Sequence, residues 1–126
     1  MKKRVLAVVL AGLMAAGMLA GCGSKKNSSD SDVEYIKNKG SLIVGITDFE
    51  PMDYKDESGE WIGFDADMAK QVAKDLGVEV QFVEIDWDNK ILELQNKSID
   101  VVWNGMTLTD EVTSSMACTN AYCNNA

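Results

Sequence analysis

The chain has 126 residues, with 12 Lys+Arg against 20 Asp+Glu, no histidine and a net charge of −8 at pH 7. That length holds one small domain at most. The acidic balance excludes a nucleic-acid binder, which needs a basic footprint, and the missing histidine removes the commonest general acid–base.

The first element in chain order is an export signal. Lys2, Lys3 and Arg4 precede an apolar run from Val5 to Ala20, and small residues then lead to Cys22. Charged start, apolar stretch and small-residue cleavage site are the three parts of a secretory signal. The run is short against the ~20 residues of a membrane span, and Gly12 and Gly17 interrupt it. Its ending, Leu19-Ala20-Gly21-Cys22, resembles the lipobox of bacterial lipoproteins. The resemblance implies a signal peptide over 1–21, cleavage before Cys22 and lipid on its thiol. Three of the cations and none of the acids lie in residues 1–21, so cleavage leaves 9 cations against 20 acids, a net charge of −11. Residues 22–33 follow as a lipidated tether, because GSKKNSSDSD has no large apolar side chain with which to offset its ordering entropy. The protein is thus expected outside the cell membrane, held there by lipid.

Residues 34–126 read as alternating strand and helix. Ser41 to Ile46 is a short apolar strand. Phe64, Met68, Val72 and Leu76 recur at i+4 beside Ala69 and Ala73, which predicts a helix over 64–76. Asp65 is placed as its N-cap and Gly77 as its left-handed C-cap. Val78, Val80 and Phe82 alternate with Glu79 and Gln81 as a second strand. Asp88 is placed as the cap of a short helix with Ile91, Leu92 and Leu94 on its apolar side, and Ile99 to Trp103 as a third strand. The order β-α-β-α-β predicts an α/β fold with a mostly parallel sheet.

In such sheets a ligand sits beyond the carboxyl ends of the strands, where strand order switches. The segments that leave the three strands are residues 47–51, Asp86-Trp87 and residues 104–109. They hold aromatics, hydroxyls, carboxylates and a glycine, a composition suited to a small polar ligand bonded against an aromatic wall.

Five pieces carry a family resemblance: GSLIVG at 40–45, DFEPMDY at 48–54, GFDADMA at 63–69, LQNKSID at 94–100 and GMTLTDE at 105–111. In this order and spacing they resemble the family-3 extracellular solute-binding proteins of amino-acid ABC importers. The resemblance implies a two-lobed, periplasmic-binding-protein-like clamp that closes on an amino acid and delivers it to a permease. It also implies a monomer without cofactor or metal. This chain is similar to the first lobe only, as a piece of a longer gene product or as a natural half-protein. A lone lobe offers one wall of the clamp and is expected to bind weakly. An extracellular sensor lobe acting through a signalling partner is the alternative.

By that resemblance, Asp48 and Phe49 lie in the loop whose aromatic ring covers the ligand, and Trp87 takes the second aromatic position. Asn104, Gly105 and Thr107 offer backbone and hydroxyl partners. Trp103, inside a strand, is assigned to the core. Thr109 caps a following helix, with Asp110 and Glu111 on its positive end. One departure stands out: the position where the family places a carboxylate-binding arginine is Val112, and no arginine remains after residue 4. Lysine lacks the planar fork that would replace it.

Cys118 and Cys123 are five residues apart. Fully extended, that step separates their Cα atoms by about 16 Å, and a bridge needs under ~7 Å. A disulfide therefore requires a turn near Thr119-Asn120; free thiols, or partners in further sequence, are the alternatives. A zinc site is not expected from two thiols alone. The chain has no G-x-S-x-G elbow and no phosphate-binding glycine loop, so it reads as a binder and not an enzyme.

Overall fold

The computed structural model describes residues 31–125. The signal peptide, Cys22 and most of the expected tether lie outside the described residues.

Helix α1 (Asp32–Lys39) opens on Ser31, whose hydroxyl accepts the Glu34 amide at 3.4 Å, and closes on Gly40 at φ 83°. Its start puts Asp32 and Val33, counted by composition as tether, in the folded unit. The chain turns directly into β1 (Ser41–Ile46), then makes a small antiparallel hairpin of β2 (Tyr54–Lys55) and β3 (Trp61–Ile62). Helix α2 (Phe64–Leu76) leads to β4 (Glu79–Glu84), a 3-10 turn (Trp87–Asn89), α3 (Lys90–Gln95), β5 (Val101–Val102) and α4 (Asp110–Ser115).

The main sheet has the order β4-β1-β5, with both pairings parallel. Being central, β1 is covered on both faces, and its Leu42, Val44, Gly45 and Ile46 are all buried, as expected for an inner parallel strand. Leu42 and Val44 pack with Ile36 of α1 and with Ala69 and Ala73 of α2. Ile46 packs with Trp61 and Ala66 in a second cluster, which Phe82 joins to the first. Gly45 leaves room for Ile99: a Cβ there would lie 2.6 Å from the Ile99 Cδ1. Asp100 ties β5 to the start of β1, since its carboxylate accepts the Ile43 amide at 2.7 Å and pairs with Lys39 at 2.6 Å.

The α/β class, β1, α2, the left-handed cap at Gly77 and the Thr109 cap of α4 agree with expectation. Asp65 is not an N-cap. Gly63 holds that position at φ 116°, because a Cβ there would lie 2.4 Å from the Met52 carbonyl oxygen. Asp88 is not the cap of the short helix: it lies in the 3-10 turn, which the Asp86 side chain opens by accepting the Asp88 amide at 3.1 Å, and α3 starts after Asn89 with no side-chain cap. The third strand is shorter than its apolar run; single bonds from Asp100 to Ile43 and from Trp103 to Gly45 extend it on either side. The second strand runs two residues further than expected, because β1 offers partners as far as Ile46. The β2–β3 hairpin had no signal that the sequence reading used.

Candidate functional site

With all three main strands parallel, the segments that follow β1, β4 and β5 leave from one edge of the sheet. From β1 the chain goes to β4 on one side, then crosses to β5 on the other. The strand order therefore switches at β1, which places a crevice at this edge.

Two contacts bind the β1 and β5 segments together there. The Asn104 side chain, buried, accepts the Thr47 amide at 3.0 Å and donates to the Thr47 hydroxyl at 2.6 Å. Its amide oxygen and one N–H are thus spent on Thr47, which ties the β1 and β5 segments together. Next to it, Gly105 has φ 50°, and a Cβ on it would lie 2.9 Å from the Phe49 Cε1. Absence of a side chain lets the Phe49 ring lie against the backbone of the β5 loop. The ring is still 48% exposed, which leaves a face open to a partner. The Phe49 loop is fixed by its own backbone: the Phe49 amide donates to the Asp53 carbonyl at 2.6 Å, and the Asp53 amide returns a bond at 3.0 Å.

The remaining expected residues divide. Thr107 is exposed, and its hydroxyl accepts from the Asn125 side-chain amide at 2.8 Å. The same Asn125 nitrogen donates to the Gly105 carbonyl at 2.8 Å. Gly105 and Thr107 therefore present two acceptors that converge on one donor nitrogen, which carries two N–H groups. Asp48 is exposed beside Phe49. Trp87 follows β4, on the other side of β1, and its ring is covered at 4.8 Å by the Lys90 ammonium. No contact described joins Trp87 to Phe49 or Gly105. Trp103 packs against the main core, as assigned.

A groove of about 680 Å³ runs along β5, lined by Phe64, Met68, Trp103, Gly105, Thr107 and the segment from Met116 to Asn125. Asn104, Gly105 and Thr107 are in its wall, while Asp48, Phe49 and Trp87 are not. Cys118 and Cys123 also line it, and both are free, exposed thiols. Val112, in the position of the missing arginine, is buried with its amide on the Thr109 hydroxyl, so it offers the groove no charge.

Two carboxylates lie under this edge that the sequence did not reveal as site residues. Asp65, in the first turn of α2, is buried; its Oδ2 accepts the Gly105 amide at 2.8 Å and its Oδ1 the Tyr122 hydroxyl at 2.7 Å. Burial and the Asp65 carboxylate hold the Tyr122 hydroxyl well above its ordinary pKa, so it remains a donor. Asp53 is fully buried, and neither side-chain oxygen has a hydrogen-bond partner. Burial first, and the Asp65 carboxylate second, raise its pKa to about 7, against a partly offsetting pull from the Ala66 amide. Among the described residues no group of three or more metal-ligating side chains comes together.

Comparison with known proteins adds the family. Residues 42–126 match the family model of the bacterial extracellular solute-binding proteins, family 3. The chain is 35% identical over 103 residues to the L-cystine-binding protein TcyJ of Escherichia coli (strain K12), covering 81% of this chain and 39% of that one. It is 31% identical over 85 residues to a cyclohexadienyl dehydratase of Pseudomonas aeruginosa, covering 67% of this chain and 32% of the relative. Among solved structures it is similar to the arginine-bound form of domain 1 from TmArgBP, at 44% identity and a TM-score of 0.61, covering 64% of each chain. The chain spans about two fifths of the length of the cystine-binding relative.

Proposed function

The chain belongs to family 3 of the bacterial extracellular solute-binding proteins, and from that premise we propose that it supplies the first lobe of the solute-capturing component of an ABC importer. Its ligand is an amino acid or a similar small polar solute, passed to a permease partner outside the cell. The observation that carries the reading is the acceptor pair of the Gly105 carbonyl and the Thr107 hydroxyl. Both converge on one donor nitrogen, each at 2.8 Å, at the sheet edge where strand order switches. An ammonium group is such a donor, and charge-assisted bonds to it are about twice as strong as neutral ones. Phe49, against Gly105, supplies an apolar face beside it, and Asp48 a carboxylate on the same loop. Trp87, which follows β4, is kept as the second aromatic position of the cleft on the family resemblance alone.

One relative is a dehydratase, so membership alone does not decide between binding and catalysis. The binding reading is favoured because the groove wall is mainly apolar side chains and hydrogen-bond partners. The relative solved as an arginine-bound domain 1 supports the idea that a first lobe can hold a ligand without the second. That tempers the expectation of weak binding. We assign residues 1–21 to a signal peptide and Cys22 to lipid attachment, so that a monomer hangs from the membrane by its acylated end. More than one lipid chain is needed for stable attachment, at about 0.8 kcal/mol per buried methylene. No helix among the described residues is long and apolar enough to cross a membrane.

Calorimetric titration of the exported chain with the proteinogenic amino acids and L-cystine tests the capture function. Saturable binding of one of them is expected; heat of dilution alone throughout the panel contradicts it. Labelling with radioactive fatty acid tests the anchor: Cys22→Ser should lose the label and leave the membrane fraction, and equal labelling of both forms refutes lipidation there.

A further inference from the structure

The geometry points to Asp65 as a positioning residue that holds the ligand-facing backbone of Gly105 in place, an assignment that rests on the solute-binding reading of that edge. Helix capping does not account for this carboxylate. Gly63 is the cap, and Asp65 is the second residue of α2, in its first turn, with no exposure to solvent. A buried carboxylate is costly unless its oxygens are bonded, and no ion pair to Asp65 is present among the described residues. Both of its bonds go far along the chain, to Gly105 forty residues on and to Tyr122 fifty-seven residues on. The first turn of a helix favours a negative charge, which offsets part of the cost of holding this carboxylate beneath the β5 loop.

The consequence lies in the orientation of the peptide groups at Gly105. Its amide points down to Asp65, while its carbonyl points to the Asn125 amide with the Thr107 hydroxyl. Gly105 sits at φ 50°, a conformation open to several alternatives in a residue without a Cβ. Fixing its amide selects the state in which the carbonyl and Thr107 converge. Tyr122 takes the other oxygen of the same carboxylate, and its ring stacks on Phe64 with centroids 6.2 Å apart. Asp65 thereby links the loop to the segment that forms the far wall of the groove. Asp65 borders the groove without exposure to solvent, both its oxygens are taken by Gly105 and Tyr122, and it acts through Gly105.

Amide hydrogen exchange and L-arginine titration on the full chain test the assignment, with Asp65→Ala, Asp65→Asn and Tyr122→Phe. In Asp65→Ala the Gly105 amide should exchange about tenfold faster than any accompanying change at Val44 and Ile46 of β1, as expected for loss of a bond to a charged acceptor. Affinity for L-arginine should fall by about the same factor. Asp65→Asn keeps an acceptor at nearly constant volume and should recover most of both, and it covers the case in which the alanine variant does not fold. Tyr122→Phe should leave Gly105 protected. If Gly105 exchange moves only in step with Val44 and Ile46, Asp65 is merely a part of the fold and the assignment is overturned. If the unaltered chain does not bind L-arginine, that result counts against the solute reading for this ligand, and the Gly105 exchange still decides the role of Asp65.

Discussion

Replacing Gly105 with alanine should damage binding more than folding, for reasons that can be worked atom by atom. At φ 50° an alanine is in the left-handed region, which costs about 1–2 kcal/mol. Its new Cβ would also lie 2.9 Å from Phe49 Cε1 and 3.2 Å from Cδ1. The obstacle is the far end of a half-exposed ring, which can swing into solvent, so little packing energy is added to the backbone cost. Folding stability should therefore drop by about 1–2 kcal/mol, readable by urea denaturation. The displaced ring is the aromatic face of the proposed site, so affinity should fall by a further 1–3 kcal/mol or so. A double-mutant cycle separates the two effects. In a Phe49→Ala background, Gly105→Ala should keep its stability cost and lose its extra effect on calorimetric affinity. Equal affinity losses in both backgrounds would refute the claim that Gly105 acts by making room for Phe49.

Phe49→Ala alone should weaken binding by about 1–3 kcal/mol and scarcely change stability, since the ring is half exposed; unchanged affinity by calorimetry removes Phe49 from the site. Asp53 predicts a pH dependence. Its pKa is raised from 3.8 to about 7 in the folded protein, so between those values the folded state binds a proton that the unfolded state has released. Stability should fall as pH rises from 4 to 7, until the folded state gives up the proton that burial and Asp65 hold on Asp53. Asp53→Asn mimics the protonated form and should flatten that part of the profile in urea denaturation series; an unchanged slope rejects the assignment. Val112→Arg should destabilise by roughly 2–3 kcal/mol, because position 112 is buried and a guanidinium there must be stripped of water or force α4 outward. An arginine variant of full stability with new, tight amino-acid binding would mean that position 112 opens onto the cleft.

The legible parts of this fold were those written in short-range pattern. β1 is a continuous apolar run because it is the covered central strand, and α2 shows its period because Ala66, Ala69 and Ala73 must face the sheet. The β2–β3 hairpin escaped notice since two-residue strands carry no periodicity. Asp65 has the residue type of a cap, but it lies four and eight residues before Ala69 and Ala73 and so shares their buried stripe. That placement was the available signal that its charge faces inward. Asp53 gave none: its burial depends on a loop folding back over α2. The parallel strand order places Phe49, Gly105 and Thr107 after β1 and β5 at one sheet edge, as the alternation of strand and helix implied. The sequence could not show that Asn104 spends its side chain on Thr47, nor that Asp65 and Tyr122 underpin the loop, because those bonds join residues about forty to sixty positions apart.

The most direct test is a nitrogen-15-resolved titration of the exported chain with L-arginine and L-cystine, following every backbone amide. The account predicts saturable shifts concentrated at Phe49, Gly105 and Thr107, with the amides of α1 and of the amino end of β1 unmoved. Saturable binding with its shifts centred away from the carboxyl edge of the sheet would contradict it.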